Sequence, residues 1–331
     1  MTPSRQWQAV SVIMPVRNEE RHLKAAVDRV LAQAYLGELE VILSVAPSQD
    51  RTMSIAETLA AKDARVRVVE NPGGATPAGL NRGLQAARHD IIVRVDGHGE
   101  LSEGYIAAAV QLLHQTGAAN VGGVMDAQGQ TPFEEAVAAA YNSPAGLGGG
   151  GFHRADTPAG PAETVFLGVF DRSALEEIGG FDESLHRAQD WELNYRLRQA
   201  GHQVYFSPTL RVVYRPRASI EALAKQFYTT GQWRREVMRR HPDTASLRYM
   251  AAPAAVVGFS AGLAGGLLGA LLRRRLLLAL GLAPLTYLAF LAGATTITRG
   301  LRPAARAWFP AVLFTMHMSW GAGFWAGLPR E

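Results

Sequence analysis

An aspartate and a histidine stand two residues apart at the end of a β-branched run. Residues 91–101 read IIVRVDGHGEL, so Asp96 and His98 follow the run and are separated by one glycine. An oxygen ligand and an imidazole at this spacing can face one ion, and the pair suits Mn²⁺ or Mg²⁺ assisted by substrate phosphates. The alternative is a plain turn, because Asp-Gly is common turn chemistry. The pattern alone leaves both interpretations open.

A second acid, Asp190, opens the predicted helix in the segment RAQDWELNYRLRQAG. Acids at helix starts commonly act as caps that stabilise the helix dipole. With Arg187, Gln189 and Trp191 beside it, Asp190 could instead serve as a general base next to a sugar-sized cleft. Both interpretations fit the residues.

Two glycine-rich segments are further candidates for binding. The segment NPGGATPAGLNRGL, residues 71–84, combines a tight turn with a helix start that could receive a phosphate, while Asn81 and Arg82 either contact the ligand or lie on the exposed helix face. The segment GLGGGG, residues 146–151, is either a flexible linker or a mobile lid; its position between core strands favours a lid that includes Gly149 and Gly150.

Alternating strands and helices must position these side chains. The sequence predicts strands over 9–16, 39–45, 65–70 and 90–96 with helices over 19–34, 52–62 and 76–88. This order indicates an α/β fold with a mostly parallel sheet covered by helices, whose ligands bind beyond the carboxyl ends of the strands. Further strands are predicted over 119–125 and 164–170, with an irregular stretch between them and a helix that ends at Gly201.

Charge divides the 331 residues into three regions. Residues 1–214 carry 18 Lys and Arg against 25 Asp and Glu, residues 215–248 carry 8 against 3, and residues 249–331 carry 7 against 1. This predicts an acidic domain over 1–214, a basic amphipathic neck at the membrane surface over 215–248 and a membrane region over 249–331. The absence of cysteine excludes disulfides and thiolate metal sites, and no basic aromatic surface suggests a nucleic-acid partner.

The last region contains three long segments without a charged residue, over 249–272, 276–298 and 307–329. Each exceeds the roughly 20 residues that a helix needs to cross a bilayer, which predicts about three transmembrane helices. The basic neck indicates that the preceding domain faces the cytoplasm. Three crossings would place Arg273–Arg275 outside, whereas a shallow hairpin of the first two segments would not. No signal peptide is expected in MTPSRQWQAV.

Taken in order, five segments resemble the inverting glycosyltransferases of family 2, which have the GT-A fold, and especially the membrane-anchored, succinoglycan-biosynthesis-type bacterial transferases. The segments are VSVIMPVRNEE (10–20), EVILSVAPSQDRT (40–52), NPGGATPAGLNRG (71–83), RVDGHGEL (94–101) and GGFDE with QDWELNYRL (179–183 and 189–197). Their order and spacing carry the resemblance, since no single motif is specific.

The resemblance implies roles for individual positions. Donor-binding residues would be Pro15, Arg17, Glu19, Ser48, Asp50, Asn81, Arg82 and Asp96. Asp96 and His98 would hold a divalent cation, Mn²⁺ or Mg²⁺, on the donor diphosphate, and Asp190 would be the catalytic base. Arg187, Gln189, Trp191, Gly149 and Gly150 would meet the acceptor or form the lid.

Two positions depart from the pattern of many relatives. Val45 stands where an acid helps to recognise uracil, which leaves the donor base open. The chain also has Gln232-Trp233-Arg234 in place of the Q-x-x-R-W motif of processive synthases, which argues against a polymerase.

The function expected from these features is a multi-pass, membrane-anchored hexosyltransferase that uses a nucleotide-sugar. It would move one sugar to a hydroxyl of a lipid-linked or cell-envelope glycan in polysaccharide biosynthesis. One alternative is a polyprenyl-phosphate glycosyltransferase, whose phosphate acceptor is already ionised and needs no base. Another is a non-catalytic nucleotide-binding module of a membrane assembly, which the departures at Val45, His98 and Gln189 keep open.

Overall fold

The computed structural model of the protein describes residues 7–147 and 151–329. These residues form two compact units: the first contains residues 7–126 and 151–214, and the second contains 127–147 and 215–329. The predicted boundaries at 214 and 248 had placed all of 127–150 in the catalytic domain, whereas the described part of this segment groups with the second unit. The division by function into three regions stays a prediction.

The first unit is built on one sheet with helices on both faces. Its strands are β1 (Val10–Val16), β2 (Leu39–Val45), β3 (Val66–Glu70), β4 (Ile91–Arg94), β5 (Glu100–Leu101), β6 (Asn120–Ala127), β7 (Gly160–Pro161), β8 (Phe166–Asp171) and β9 (Val204–Tyr214). Its helices are α1 (Leu23–Leu31), α2 (Thr52–Lys62), α3 (Thr76–Ala86), α4 (Tyr105–Thr116), α6 (Arg172–Glu177) and α7 (Gln189–Gln199). The intervening α5 (Pro132–Tyr141) belongs to the second unit.

Among the described residues the strand order is β3-β2-β1-β4-β8-β6-β9-β5, with β7 paired to β9. The first four strands are parallel, and β8 pairs antiparallel to both β4 and β6. The sheet is therefore mixed rather than mostly parallel, because the second half of the unit adds strands by antiparallel pairing. Both sheet faces are buried, which explains why β1 and β2 are apolar at nearly every position.

Helix α5 corrects the prediction of an irregular stretch between residues 125 and 164. Thr131 accepts a hydrogen bond from the Glu134 backbone N–H at 3.3 Å, and the Glu134 carboxylate accepts one from the Thr131 N–H at 2.9 Å. This capping box satisfies two N–H groups at the helix start. The sequence TPFEEAVAAAY contains both capping residues and an alanine-rich run, so the signal for a helix was present.

The second unit consists of helices. Besides α5 they are α8 (Ile220–Arg240), α9 (Leu247–Leu271), α10 (Arg275–Ala279), α11 (Leu282–Ile297) and α12 (Pro303–Ala326). Helix α12 packs against α5, α8 and α9. Glycines bring α8 and α12 into backbone contact: a Cβ at Gly231 would lie 2.0 Å from the Trp320 carbonyl oxygen, and one at Gly323 would lie 1.9 Å from that of Tyr228. Gly231, in the buried stripe of the neck helix, therefore faces α12, whereas Phe227 of the same stripe contacts Tyr141 of α5 with ring centroids 5.8 Å apart.

Two helical segments of the described chain are long and apolar enough to cross a membrane: α9, Leu247–Leu271, and the span Arg275–Ile297, which comprises α10 and α11. Leucines on them are largely exposed, for example Leu267, Leu271 and Leu276. The third predicted span, 307–329, falls largely within α12, which buries Phe309, Leu313 and Met316. Of the three spans expected, two thus correspond to segments long and apolar enough to cross a membrane, and the third does not.

Candidate active site

The loops after β1 and β2 are tied together by hydrogen bonds. The Asn18 N–H donates to the Ser48 hydroxyl oxygen at 3.1 Å, and the Gln49 N–H donates to the Asn18 side-chain oxygen at 2.8 Å. The Glu20 N–H donates to Asp50 at 3.1 Å. Because parallel strands end at the same sheet edge, these contacts form one platform there. The predicted donor-binding residues Ser48 and Asp50 have a structural role in that platform, and their contact with a donor stays a prediction.

Asp50 is held as a carboxylate by its neighbours. Its oxygen accepts from the Thr52 hydroxyl at 2.5 Å and from the Thr52 N–H at 3.0 Å. The hydroxyl bond is the main cause that lowers the pKa of Asp50 below its usual range. Thr52 in turn accepts from the Glu19 N–H at 2.7 Å, so the clamp on Asp50 also fixes the backbone of Glu19.

A cavity of about 270 Å³ opens at the ends of β1, β2 and β3. Pro15 and Arg17, both predicted to bind the donor, line it together with Val16, Ala46, Asn71, Gly73, Gly74, Ala75, Thr76 and His186. Sequence reasoning did not identify His186. The feature that could have pointed to it is its position three residues before Gln189-Asp190. The predicted residues from the first and third strand ends therefore share one cavity.

The start of α3 forms one wall of this cavity because glycines let the helix approach the sheet. A Cβ at Gly83 would lie 2.9 Å from the Ile13 Cβ, and one at Gly79 would lie 3.1 Å from the Pro15 Cβ. The N–H groups in the first turn of a helix have no intrahelical acceptor and attract anions. The arrangement suits a phosphate group, as the segment 71–84 suggested.

The Asp96-Gly97-His98 turn follows β4 and packs against Glu19. The Glu19 carboxylate bonds the His98 Nδ1 at 2.8 Å. A Cβ at Gly97 would lie 2.9 Å from the Glu19 Cγ, so a larger residue at this position would displace the glutamate. Glu19, assigned to the donor from the sequence, is thus bonded to the histidine in the structure, and its contact with a donor stays a prediction.

A buried arginine joins the two candidate acids. Arg94, whose side chain is only 4% exposed, donates through Nη2 to Asp96 at 3.1 Å and forms an ion pair through Nη1 with Asp190. Asp190 is itself partly exposed, so it is accessible to a substrate. The residue expected to bind the cation and the residue expected to act as base therefore lie around one guanidinium. Sequence reasoning did not single out Arg94, although the residue lies in the segment RVDGHGEL, because only Asp96 and His98 were assigned roles there.

Helix α7 holds Asp190 at this place through its buried face. Leu193 and Leu197 lie in the core on this side of the sheet, and Asn194 accepts a hydrogen bond from Asn120 at 2.6 Å. Buried Glu192 pairs with Arg196 at 2.7 Å. Arg196 also donates to the Ile178 and Gly180 carbonyls at 2.7 and 2.8 Å, which ties the GGFDE turn to α7.

The backbone turns sharply just before this helix. Ala188, the residue before Gln189, has φ +61°. This is the left-handed region, which is unfavourable for residues other than glycine. Asn18 in the β1 loop also has a positive φ, +55°. Left-handed residues that are not glycine are uncommon, and here two of them flank the candidate site.

The remaining predicted residues fall in three groups. Asn81 uses both ends of its amide on the turn, bonding the Phe181 backbone at 2.8 and 2.9 Å and Glu183 at 2.9 Å, while Arg82 lies exposed on α3. Arg187 is exposed, and Trp191 stacks on Tyr195 with centroids 5.8 Å apart. Gly149 and Gly150 lie outside the described residues. Donor or acceptor contacts of this set stay predictions.

The ligand atoms that Asp96 and His98 offer suit a divalent cation that is also bound by a substrate. Within the described chain, no cluster of three or more acidic or histidine side chains could hold a metal ion alone. A carboxylate on one nitrogen of a histidine is the usual arrangement that orients the ring for a metal on the other nitrogen, and Glu19 supplies it. Two protein ligands would leave the other positions of such a cation to phosphate oxygens and water, as is common for Mg²⁺ sites on nucleotides.

Comparison with known proteins places the chain in a family. Residues 11–179 match the model of "Glycosyl transferase family 2". The chain is 30% identical over 319 residues to the succinoglycan biosynthesis protein ExoA of Rhizobium meliloti (strain 1021), covering 96% of this chain and 94% of that protein. It is 27% identical over 220 residues to the glycosyltransferase AglE of Haloferax volcanii, covering 66% and 70%.

Among solved structures, the mannosyltransferase PcManGT from Pyrobaculum calidifontis, in complex with GDP-Man and Mn²⁺, has a TM-score of 0.56 and 20% identity. The match covers 93% of this chain and 85% of that one, and it confirms the GT-A fold expected from the resemblance. The resemblance itself is confirmed by the family model and by the full-length likeness to ExoA. The protein therefore belongs to glycosyltransferase family 2 and is a nucleotide-sugar-dependent glycosyltransferase.

Proposed function

We propose that the protein transfers a single sugar, with inversion, from a nucleotide-sugar to a hydroxyl of a lipid-linked or cell-envelope glycan. The observation that carries this proposal is the pairing of Asp190 with Arg94, which also bonds Asp96. It gathers a carboxylate able to take a proton and the motif expected at the donor diphosphate around one side chain.

The donor is expected to lie along the ends of the parallel strands. The cavity lined by Pro15, Arg17 and Asn71 has room for part of a nucleotide, and the α3 N-terminus offers N–H groups for an anion. Stabilising the negative charge that develops on the leaving nucleoside diphosphate is the largest contribution that such a site can make. Val45 is buried at the end of β2, so no acid at this position favours uracil, and the base of the donor is left open.

Asp190 would act on the acceptor. Its carboxylate takes the proton of an acceptor hydroxyl while the hydroxyl oxygen forms a bond to the anomeric carbon. The bond from that carbon to the phosphate oxygen breaks, and its electron pair leaves with the diphosphate. Attack on the face opposite the leaving group inverts the configuration.

Asp96 and His98 are the residues that would hold a divalent cation, Mn²⁺ or Mg²⁺. Such a cation would supply Lewis-acid stabilisation of the diphosphate. Glu19 supports this assignment because a carboxylate bonded to one ring nitrogen is the usual arrangement that orients a metal-binding histidine. The Mn²⁺ of the mannosyltransferase complex supports a cation of this kind.

The membrane helices support a lipid-linked acceptor. Leu247–Leu271 and Arg275–Ile297 could cross a bilayer by length and composition, and their exposed leucines would be covered by lipid. We place the protein in the cell membrane, with the first unit in the cytoplasm, because residues 215–248 carry an excess of basic residues. Cytoplasmic nucleotide-sugars would be available to a site on that side.

The test is a screen of the full chain in detergent with UDP-, GDP- and dTDP-sugars, with and without Mn²⁺. We expect cation-dependent binding and slow hydrolysis of one donor. With that donor and a glycan acceptor, Asp190→Asn should abolish transfer and leave the donor Kd nearly unchanged, because the amide cannot take the proton.

A matched control is Asp182→Asn, an acid in the turn before α7 that bonds Ser184; it should retain turnover. Normal transfer by Asp190→Asn to a hydroxyl acceptor would overturn the assignment of the base. Normal transfer by the same variant to a polyprenyl phosphate alone would indicate the phosphate-acceptor alternative.

A further inference from the structure

We propose that Arg94 is a positioning residue that couples the cation motif to the catalytic base. This inference rests on the proposed function, because it takes Asp96 as a cation ligand and Asp190 as the base. The inference is based on the buried Arg94 guanidinium, which pairs with one carboxylate through each of its terminal nitrogens.

The alternation of side chains along β4 explains how the arginine reaches both acids. Ile92 packs into the core cluster that contains Leu193 of α7, and Arg94, two residues on, projects from the same face. The strand ends at Arg94, so its side chain lies at the edge where α7 begins. The fold therefore directs the Arg94 guanidinium toward the first turn of α7, where Asp190 lies.

Within the part of the chain that the structure describes, the guanidinium has Asp96 and Asp190 as its ionic partners and no third one. Among the described residues, the Arg94 Nε has no hydrogen-bond partner. A buried charge is stable only when it is paired, so the orientation of the guanidinium is set by Asp96 and Asp190. A guanidinium presents its donors in a rigid fork, which fixes the two carboxylates relative to each other.

Two opposite effects on the site follow from this geometry. Arg94 holds the Asp190 carboxylate in place, which favours turnover. It also neutralises part of the charge on Asp96, so it weakens the attraction of the free enzyme for a cation. Loss of Arg94 should therefore lower kcat and at the same time tighten the binding of the cation.

A purely structural arginine would behave differently. Its loss would loosen the end of β4, and both cation binding and donor binding would weaken. The sign of the change in cation affinity therefore separates positioning from a general structural role.

The experiment measures Mn²⁺ binding calorimetrically on the full chain in detergent, without nucleotide, and kcat and KM separately. For Arg94→Gln we expect a Mn²⁺ Kd lowered by about threefold or more and a kcat lowered by about 10- to 100-fold, with the donor KM changed less. Arg94→Lys retains the charge and should return the Mn²⁺ Kd to that of the wild type, while kcat recovers only in part because an ammonium lacks the fork.

The matched control is Arg67→Gln. Arg67 is another sheet arginine, paired with Glu40 at 3.2 Å, but it lies at the amino ends of the strands. Its loss should leave the Mn²⁺ Kd and kcat unchanged. A Mn²⁺ Kd that rises in Arg94→Gln, or stays equal in all three variants, would overturn the proposal.

A double-mutant cycle separates this inference from the proposed function. In Asp190→Asn, which should already lack transfer, adding Arg94→Gln should change the activity no further, while Mn²⁺ should still bind more tightly. If Asp190→Asn alone keeps full turnover, the assignment of the base fails whatever Arg94→Gln does. If Asp190→Asn is inactive but Arg94→Gln leaves kcat intact, only the role of Arg94 fails.

Discussion

At the scale of single residues, the contact between Glu19 and His98 offers a direct way to test whether His98 binds a cation. Glu19→Gln removes the charge that fixes the ring tautomer, and we expect the Mn²⁺ Kd to rise about 10-fold, as for other carboxylates behind a metal-binding histidine. Calorimetry measures the Kd, with Glu20→Gln as the control, since Glu20 binds Arg51 instead. Equal Mn²⁺ binding in both variants would contradict a role for His98 at the cation.

A second residue-scale prediction concerns the pH dependence of the Asp50 clamp. The Thr52 hydroxyl lowers the pKa of Asp50 below its ordinary value of 3.8, so the folded state favours the carboxylate. The stabilisation is fully present above that value and is lost as the pH falls through the lower folded pKa. Asp50→Asn should therefore have a lower Tm than the wild type at neutral pH, and the difference should vanish in strong acid. A difference that persists in strong acid would show that charge is not the cause.

Individual motif residues could be predicted from the sequence, whereas their partners could not. Asp96, His98 and Asp190 stand in motif positions, and the structure brings them to one sheet edge. The role of Arg94 could not be predicted because it depends on a helix that starts 95 residues later in the chain. The engagement of Asn81 with the 181–183 turn is equally non-local. Hydrogen bonds between distant segments leave no periodic signal in a sequence.

At the scale of elements, the start of α7 stores backbone strain beside the proposed base. Ala188 has φ +61°, and a left-handed residue with a Cβ costs about 1 kcal/mol. Ala188→Gly should therefore raise the free energy of unfolding by up to about 1 kcal/mol, less the entropy that glycine adds to the unfolded chain. Denaturation in detergent measures the change. Ala200→Gly is the control at the other end of α7, with φ −77°, and should bring no gain. Destabilisation by Ala188→Gly would contradict the strain.

Element prediction succeeded where periodicity was clear and failed where context decided. Helix α2 begins and ends at the predicted residues 52 and 62, and β1 to β4 lie within two residues of their predicted ends. Helix α5 was missed because the glycine-rich segment after it suggested one long loop. The apolar stripe of α8 was recognised, but a stripe shows that a face is covered without showing what covers it. In the structure α12 packs against that helix.

At the scale of the whole molecule, the second unit limits where the chain can be cut. Helix α12 packs against α5 and α8: Phe133 meets Trp308 with ring centroids 5.6 Å apart, and Glu135 accepts from Arg302 at 2.9 Å. A chain shortened after residue 246 would lose α12 and expose the apolar faces of both helices. We therefore expect this fragment to aggregate without detergent, although every predicted membrane segment has been removed.

Size-exclusion chromatography of the shortened chain checks this expectation. A matched fragment would carry Phe133→Ser and Phe227→Ser, which replace an apolar residue that contacts α12 and one in the buried stripe of α8. The double substitution should increase the monodisperse fraction. A monodisperse fragment without these changes would show that α12 is not needed to cover the two helices.

The glycine contacts between α8 and α12 also set an order of events during synthesis. Gly231 and Gly323 allow the two backbones to touch, but they are separated by the whole of α9, α10 and α11. The residues of the first unit have all been translated once residue 214 is reached, so that unit can fold on the ribosome. Helices α5 and α8 must wait for a partner that follows the apolar segments. The interval between residue 240 and the arrival of α12 is therefore when a chaperone or the insertion machinery would most need to shield them.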